Sequence, residues 1–251
     1  GLLIGENRLP VFIDFFKRDS EHVNSNMVVI GKPGSGKSYA TKTIMAGLAS
    51  SNTRIFVLDP ENEYKNLAKN LGGTSIDVSN SNYGMINPFQ IIDGIDEEEN
   101  RFYSHLQFLE EFYRLILPGI NSDSLEMLNK ITQELYESKN INSKVNLKLL
   151  TNRDYPTFDD LNNLIESKLS VETDDYIKTC LKVINNYVAK FKTGGRNSSL
   201  WNGYTTFSPK ENFIAFNFQR LLANKNDVTA NAQMLLVLKW LENEVIKNRD
   251  Y

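Results

Sequence analysis

A chain of 251 residues with 41% hydrophobic and 24% charged residues can bury one large or two small domains, which excludes an intrinsically disordered protein. The 28 Lys and Arg residues against 31 Asp and Glu residues give a net charge of -3, which excludes a sequence-wide attraction to nucleic acid or anionic lipid. The single cysteine, Cys180, excludes an internal disulfide, and no apolar run approaches the roughly 20 residues that cross a bilayer, so we expect a soluble chain.

The first predicted elements are a strand, a loop and a helix. Met27–Ile30 is an apolar run typical of a buried strand, a glycine-rich loop follows it, and residues 38–49 have apolar positions at helical spacing. Arg54–Asp59 predicts a second buried strand, and residues 64–70 predict a helix that ends at Gly72. Together these segments predict a right-handed βαβ unit with parallel strands.

The next segments predict one more strand and then a change of period. Thr74–Val78 is typical of a strand, and Ile86–Phe89 is expected to be a loop because its proline cannot donate to a sheet. The four segments that carry apolar stripes at helical spacing are residues 102–116, 125–136, 158–169 and 176–191. Thr157 with Asp160 predicts an N-terminal cap for the third of these helices.

The α/β pattern returns near the end of the chain. Asn212–Phe218 predicts a strand, and residues 228–248 predict a long helix. Leu235, Leu238, Leu241 and Val245 are the residues that we expect on the inward face of this helix. His22 and His105 have no partners at metal-ligand spacing, which indicates surface or core roles.

One motif carries specific chemistry, the pattern Gly-x4-Gly-Lys-Ser of a phosphate-binding loop. Its residues are Gly31, Lys32, Pro33, Gly34, Ser35, Gly36, Lys37 and Ser38, and Tyr39 directly after them completes the predicted nucleotide-binding segment. The glycines let successive N–H groups face the phosphates, Lys37 supplies a positive charge, and Ser38 is expected to bind magnesium. The alternative is a chance match in a turn, which the predicted strand before it and helix after it oppose. We therefore predict binding of ATP with Mg²⁺.

The carboxylates after the second predicted strand have two interpretations. Asp59 lies at the carboxyl end of that strand, where ligands collect in open α/β sheets, so it is a candidate to hold magnesium through water. Glu61 or Glu63 would then polarise the attacking water. Alternatively, Asp59 caps the following turn, and both glutamates are solvated charges near a helix start.

The order of these motifs resembles a known family. The runs NMVVIGKPGSGKSYATK, RIFVLDPENEYKNLAKNLGG, INPF, LWNGYTTF and FIAFNFQRLL are similar to the ATPase domain of the conjugative type IV secretion ATPases of the VirB/TraC/TraE type, which are related to the FtsK-HerA translocases. The resemblance implies an α/β fold, a RecA-like P-loop NTPase core with a mainly parallel sheet and an all-helical insertion. It implies that residues 1–96 begin the core, residues 97–193 form the insertion and residues 194–251 continue the core.

The resemblance also implies an activity and partners. It implies ATP hydrolysis that powers secretion or conjugation at the cytoplasmic face of a membrane, as a peripherally associated homo-hexamer in contact with other secretion subunits. Residue by residue, it places nucleotide binding on Gly31–Ser38 and a motif role on Asp59, Glu61 and Tyr64. Lys37, Asp59 and Glu61 are the candidate catalytic residues. The family has a further apolar strand ending in Asp-Glu, which this sequence lacks before Tyr251. We therefore expect the chain as given to bind nucleotide and hydrolyse it slowly.

Two alternatives to this function stay open. One is a DNA-pumping translocase or coupling protein of the FtsK-HerA type, whose DNA contact would need a local basic patch such as Lys190, Lys192 and Arg196. The other is a nucleotide-binding module without chemistry.

Overall fold

The computed structural model describes residues 2–4, 9–12, 14–17, 26–92, 98–223 and 228–247, and His22 lies outside these ranges. The strands are β1 (Leu2–Ile4), β2 (Pro10–Phe12), β3 (Ile55–Asp59), β4 (Thr74–Asp77) and β5 (Phe213–Asn217). The helices are α1 (Lys37–Ser50), α2 (Lys65–Asn70), α3 (Glu98–Ile116), α4 (Ser122–Ser138), α5 (Phe158–Val171), α6 (Asp175–Val188), α7 (Ser198–Trp201), α8 (Gln219–Ala223) and α9 (Thr229–Lys247), with a 3-10 turn at Leu147–Leu149.

The chain divides into two compact units. The first comprises Gly1–Ile76 and Lys210–Phe216, and the second comprises Asp77–Pro209 and Asn217–Tyr251. These units differ from the three segments expected from the sequence, because the second unit combines the helical stretch with residues before and after it. The division into core and insertion stays a prediction.

The main sheet of the first unit has the strand order β3-β5-β4 and is parallel. The Ile55 amide donates to the Asn212 carbonyl at 2.6 Å, so β3 and β5 begin side by side. Central β5 is an almost continuous buried run, as expected for a parallel strand covered on both faces. The buried core residues are Ile55, Val57, Ala68, Phe213 and Ala215, with Met45, Leu48 and Ala49 of α1 packed against them.

The strand predicted at Met27–Ile30 does not form. These residues belong to no helix or strand, and the side chains of Val28 and Ile30 are 80% and 89% exposed. An apolar run can enter a sheet, but a strand also needs a neighbour that pairs its backbone groups. None of β3, β4 and β5 pairs with this segment, so the predicted βαβ unit is wrong in its first strand.

A small antiparallel sheet, which no sequence pattern predicts, joins β1 to β2. Leu2 pairs with Phe12, Leu3 with Val11, and Ile4 with Pro10. Pro10 is the first residue of its strand, a position where the missing N–H is tolerated. Strands of three residues are too short to show a period of two.

The helices predicted in the second unit are confirmed. All regular elements between residues 98 and 201 of the described chain are helical. Thr157 and Asp160 form the predicted capping box at the start of α5, each side chain accepting from the other's backbone N–H. Cys180 is buried in α6. In the described parts of the chain, no helix is long and apolar enough to cross a membrane.

Helix α9 has the predicted length but a different inward face. Leu238 and Val245 are 44% and 57% exposed, whereas Leu236 and Val237 are buried. Apolar residues lie around most of this helix, so its pattern does not fix the rotation. Gln233, a polar residue, is buried on the inward face because both of its side-chain groups have hydrogen-bond partners.

Candidate nucleotide-binding site

The glycine-rich loop leads directly into α1. Gly34 and Gly36 have φ angles of 78° and 88°, which favour glycine because a Cβ is strained there. Gly36 is the N-cap residue, and no side chain caps the helix that begins at Lys37. The first-turn N–H groups therefore have no side-chain cap among the described residues, and the positive end of the helix dipole lies at the loop. This geometry fits a phosphate group.

Lys37 folds back across the loop. Its ammonium Nζ donates to the carbonyl oxygens of Gly31 at 2.8 Å and of Lys32 at 3.1 Å. A Cβ at Gly31 would lie 2.5 Å from the Ser35 hydroxyl and 3.2 Å from Lys37 Cγ, so a side chain there would have to displace these two side chains. The lysine charge is thus held at the mouth of the loop by neutral carbonyls, which phosphate oxygens can replace as stronger acceptors.

The residues after Lys37 are open to solvent. Ser38 is exposed in the first turn of α1, and the Tyr39 ring is 78% exposed. A serine hydroxyl is a hard oxygen ligand of the kind that Mg²⁺ takes together with phosphates and water. The exposed hydroxyl beside an uncapped helix start therefore fits the predicted magnesium ligand.

The Asp59 side chain caps the turn that follows β3. Its side chain is 1% exposed at the end of β3, and its two oxygens accept the backbone N–H groups of Glu63 at 3.0 Å and Tyr64 at 2.9 Å. Both oxygens therefore hold the turn that leads to α2. A further role with magnesium stays a prediction, as does the role of Glu61, whose side chain is exposed.

Lys42 is a further residue of the site, and no sequence motif identifies it. From α1, its ammonium lies 3.7 Å from the Glu63 carboxylate and 5.0 Å from the centre of the Tyr64 ring. Partial burial, followed by the charges of Glu63 and Asp59, raises the pKa of Tyr64, so the phenol stays neutral. Lys42 thereby joins the helix after the loop to the turn after β3. Lys42 follows Lys37 by five residues, and this spacing does not predict a contact with Glu63 or Tyr64.

The family follows from comparison with known proteins. The sequence profile named "Helicase HerA, central domain" matches residues 1–188, which is most of the chain. The chain belongs to this family. The Gly31–Ser38 loop and the Asp59–Tyr64 turn of the HerA central domain both lie within the matched residues. This membership agrees with the relation to FtsK-HerA translocases that the motifs predict.

Three individual proteins show more specifically what the chain resembles. The HerA-type chain is 26% identical to VirB4 of Thermoanaerobacter pseudethanolicus, with a TM-score of 0.83 over 97% of this chain and 63% of that one. It is 32% identical over 98 residues to Protein TraC of Escherichia coli K12, which is 39% of this chain and 11% of TraC. It is also 43% identical over 56 residues to the uncharacterized protein aq_aa31 of Aquifex aeolicus. The chain therefore spans about a ninth of TraC and less than two thirds of the VirB4 structure. The α/β fold and the resemblance to type IV secretion ATPases are confirmed.

Proposed function

We propose that this chain binds ATP with Mg²⁺ at Gly31–Ser38 and is the nucleotide-binding part of an ATPase that powers conjugative DNA transfer or type IV secretion. The observation that carries the proposal is the start of α1 at Lys37, which has no side-chain cap among the described residues, with positive-φ glycines before it and a lysine ammonium that donates to two carbonyl oxygens. The likeness to VirB4 and TraC supports the cellular role.

The groups of the loop have different roles in binding. The first-turn N–H groups of α1 take the phosphate oxygens, and Lys37 exchanges two carbonyl partners for the β and γ phosphates. Ser38 holds the magnesium ion, which neutralises phosphate charge when it is bound. Lys42 holds Glu63, and through the turn capped by Asp59 it positions Glu61, which we propose as the group that orients water.

The binding step is tested with a charge-matched pair of variants. Lys37→Ala is expected to weaken binding of a fluorescent ATP analogue at least about a hundredfold, because charge-assisted contacts to phosphate are lost. Lys69→Ala removes an exposed lysine of α2 and is expected to leave the affinity unchanged. Equal affinities of Lys37→Ala and the unaltered chain, with both folded, would mean that nucleotide binds elsewhere or not at all.

Hydrolysis is tested separately from binding. Phosphate release by the unaltered chain, Lys37→Ala and Glu61→Gln is compared at saturating MgATP. Turnover that Lys37→Ala abolishes supports an ATPase. Tight binding without any turnover would identify a nucleotide-binding module instead.

A second candidate is a DNA translocase or coupling-protein motor, favoured by the HerA family match. Lys192 already pairs with Glu166 at 2.9 Å, and Lys190 lies over the Tyr187 ring at 4.8 Å. Two residues of the expected basic patch thus have protein partners, which disfavours DNA contact there. Stimulation of phosphate release by double-stranded DNA, decreasing with salt, would favour the motor over the secretion ATPase.

We also propose homo-hexamer assembly, contact with other secretion subunits and peripheral association with the inner face of a membrane in the parent protein. The VirB4 likeness supports this assembly role. Light scattering of the parent protein with and without MgATP tests the hexamer, and flotation with vesicles of anionic lipid tests the membrane contact.

A further inference from the structure

The second unit contains a cavity of about 310 Å³. Ligand pockets commonly range from about 300 to 1,000 Å³, so this one has room for a side chain or a small molecule rather than a nucleotide. The phosphate-binding loop belongs to the first unit. The cavity is therefore a separate site that the proposed nucleotide chemistry does not use.

Two of the family-like motifs build its wall. Ile86 comes from the INPF run, and Thr205 and Phe207 come from LWNGYTTF. The Thr206 amide donates to the Met85 carbonyl at 2.9 Å, and the Asn87 amide donates to the Thr205 hydroxyl at 2.9 Å. These bonds fix the two runs side by side, so the wall is pre-formed.

Planar apolar groups line one part of the cavity. The rings of Phe207 and Trp240 meet edge to face with centroids 5.0 Å apart, and buried Tyr155 lies in the same lining. Flat aromatic faces attract a cation through their negative π surface, and arginine makes such contacts more often than lysine.

Two of the polar groups in the lining favour the same chemistry, although the lining also contains Thr205, Ser208 and Asn243. The Gln90 side-chain oxygen is buried and has no hydrogen-bond partner among the described residues. Glu244 is the one charged residue among the described lining residues, and its charge is negative. Glu244 has other interactions, but a carboxylate has about four lone-pair sites, so a ligand can share it. An acceptor and a carboxylate beside aromatic rings disfavour an anion and match a donor-rich cation.

We infer that this cavity binds the guanidinium group of an arginine. A guanidinium is planar, carries five N–H donors and has an apolar stem, so it stacks on Trp240 while donating to Gln90 and Glu244. The source is either an arginine side chain of a partner polypeptide or free arginine, which share this chemistry.

The test is calorimetric titration of the full chain with three probes. N-acetyl-arginine-methylamide represents a polypeptide arginine, L-arginine represents the free amino acid, and N-acetyl-citrulline-methylamide is the neutral isostere. We expect saturable binding of an arginine probe and at least about tenfold weaker binding of the citrulline probe, because the charge-assisted bonds are absent. Tighter binding of the blocked or of the free arginine identifies the source, and either result supports the site.

Two variants with opposite expected effects separate recognition from folding. Glu244→Gln is expected to weaken arginine binding at least about fivefold, and Gln90→Glu to strengthen it about threefold or more by adding a second carboxylate. Lys37→Ala is expected to leave arginine binding unchanged, because Lys37 lies in the first unit. The arginine test therefore gives the same answer whether or not the loop binds nucleotide. Equal binding of citrulline and arginine, no saturation by any probe, or the same affinity in both lining variants would overturn the inference.

Discussion

The indole N–H of Trp201 donates a hydrogen bond of 2.6 Å to the side-chain oxygen of Gln233. The Gln233 amide group donates in turn to the Val78 carbonyl at 3.1 Å, and both side chains are buried. Gln233 of α9 therefore pairs one polar group of the short helix α7 and one of the segment after β4. A buried donor or acceptor left without a partner costs far more than the net gain from one hydrogen bond.

Gln233→Leu is expected to lower the free energy of unfolding by about 2–4 kcal/mol, because it leaves the Trp201 N–H and the Val78 carbonyl unpaired. Urea unfolding followed by tryptophan fluorescence measures the change. Asn231→Ala, at an exposed position on the same helix, is the control and is expected to stay within about 0.5 kcal/mol. Similar losses in both variants would mean that the bridge contributes little.

Buried His105 is expected to make the protein less stable in mild acid. Burial, with a smaller contribution from the charge of Lys239, lowers the pKa of His105 to about 3 from 6.5. Its Nε2 lies 3.0 Å from the Tyr136 hydroxyl, which donates to the Phe89 carbonyl, so His105 is the neutral donor. Below pH 6.5 the unfolded chain binds a proton that the folded chain does not. The free energy of unfolding then falls by up to about 1.4 kcal/mol per pH unit.

Unfolding titrations at several pH values between about 7.5 and 5.5, above the range of ordinary carboxylates, measure this dependence. His105→Gln is expected to be less stable at neutral pH but to show a flatter pH dependence. An equally steep dependence in that variant would assign the effect to another group.

Gly84 is expected to be intolerant of a side chain. It has a φ of 106°, and a Cβ there would lie 2.7 Å from the Phe207 backbone. Gly84→Ala is therefore expected to cost about 2–5 kcal/mol from strain and overlap together. Gly194→Ala, at a φ of 83° with open space around it, is the matched control and is expected to cost about 1 kcal/mol. Thermal unfolding gives the melting temperature of each variant. Equal melting temperatures would contradict the close approach of Gly84 to the Phe207 backbone.

Asp59→Asn distinguishes the two roles of this carboxylate. An asparagine has one acceptor oxygen, so one of the two turn N–H groups loses its partner, and a stability loss of about 1–3 kcal/mol is expected. Glu61→Gln, at an exposed position, is expected to change stability by less than about 0.5 kcal/mol. If Asp59 only caps the turn, Asp59→Asn changes ATP affinity by the same factor with and without Mg²⁺. A loss confined to the magnesium complex would show that Asp59 supports the metal.

Tyr39 is expected to contact the nucleobase, since its exposed ring follows the phosphate-binding residues directly. Tyr39→Ala should weaken ATP binding about three- to tenfold through lost stacking, and Tyr39→Phe should retain the affinity. Inorganic tripolyphosphate, which has no base, should bind both variants equally. Weaker binding of tripolyphosphate to Tyr39→Ala would indicate damage to the loop itself.

Local signals account for the parts of this fold that the sequence predicts. The Thr157–Asp160 box needs only side chains three residues apart, and the Gly31–Ser38 motif needs only glycine flexibility and a helix start. β3 and β5 are apolar runs bounded by polar residues, which is enough to recognise them. These features depend little on the rest of the chain, so pattern and structure agree.

The errors concern features that depend on distant partners. Met27–Ile30 has the composition of a strand, but pairing is decided by residues elsewhere in the chain. The inward face of α9 depends on Gln233, whose partners are remote in sequence, and apolar content alone favours Leu238 and Val245. The contact of Lys42 with Glu63 likewise joins two elements, and no short sequence pattern predicts how they pack.

The order of strands in the main sheet constrains how the protein folds during synthesis. β3 and β4 do not pair with each other, because β5 lies between them. Residues 78–212 must therefore leave the ribosome before the sheet can close, although the loop that precedes α1 is made much earlier. Closing so long a loop is entropically costly, and sheets built from non-local pairings fold slowly. A nascent chain interrupted before β5 would present the apolar edges of β3 and β4, which makes that interval the one in which chaperone binding or aggregation is expected.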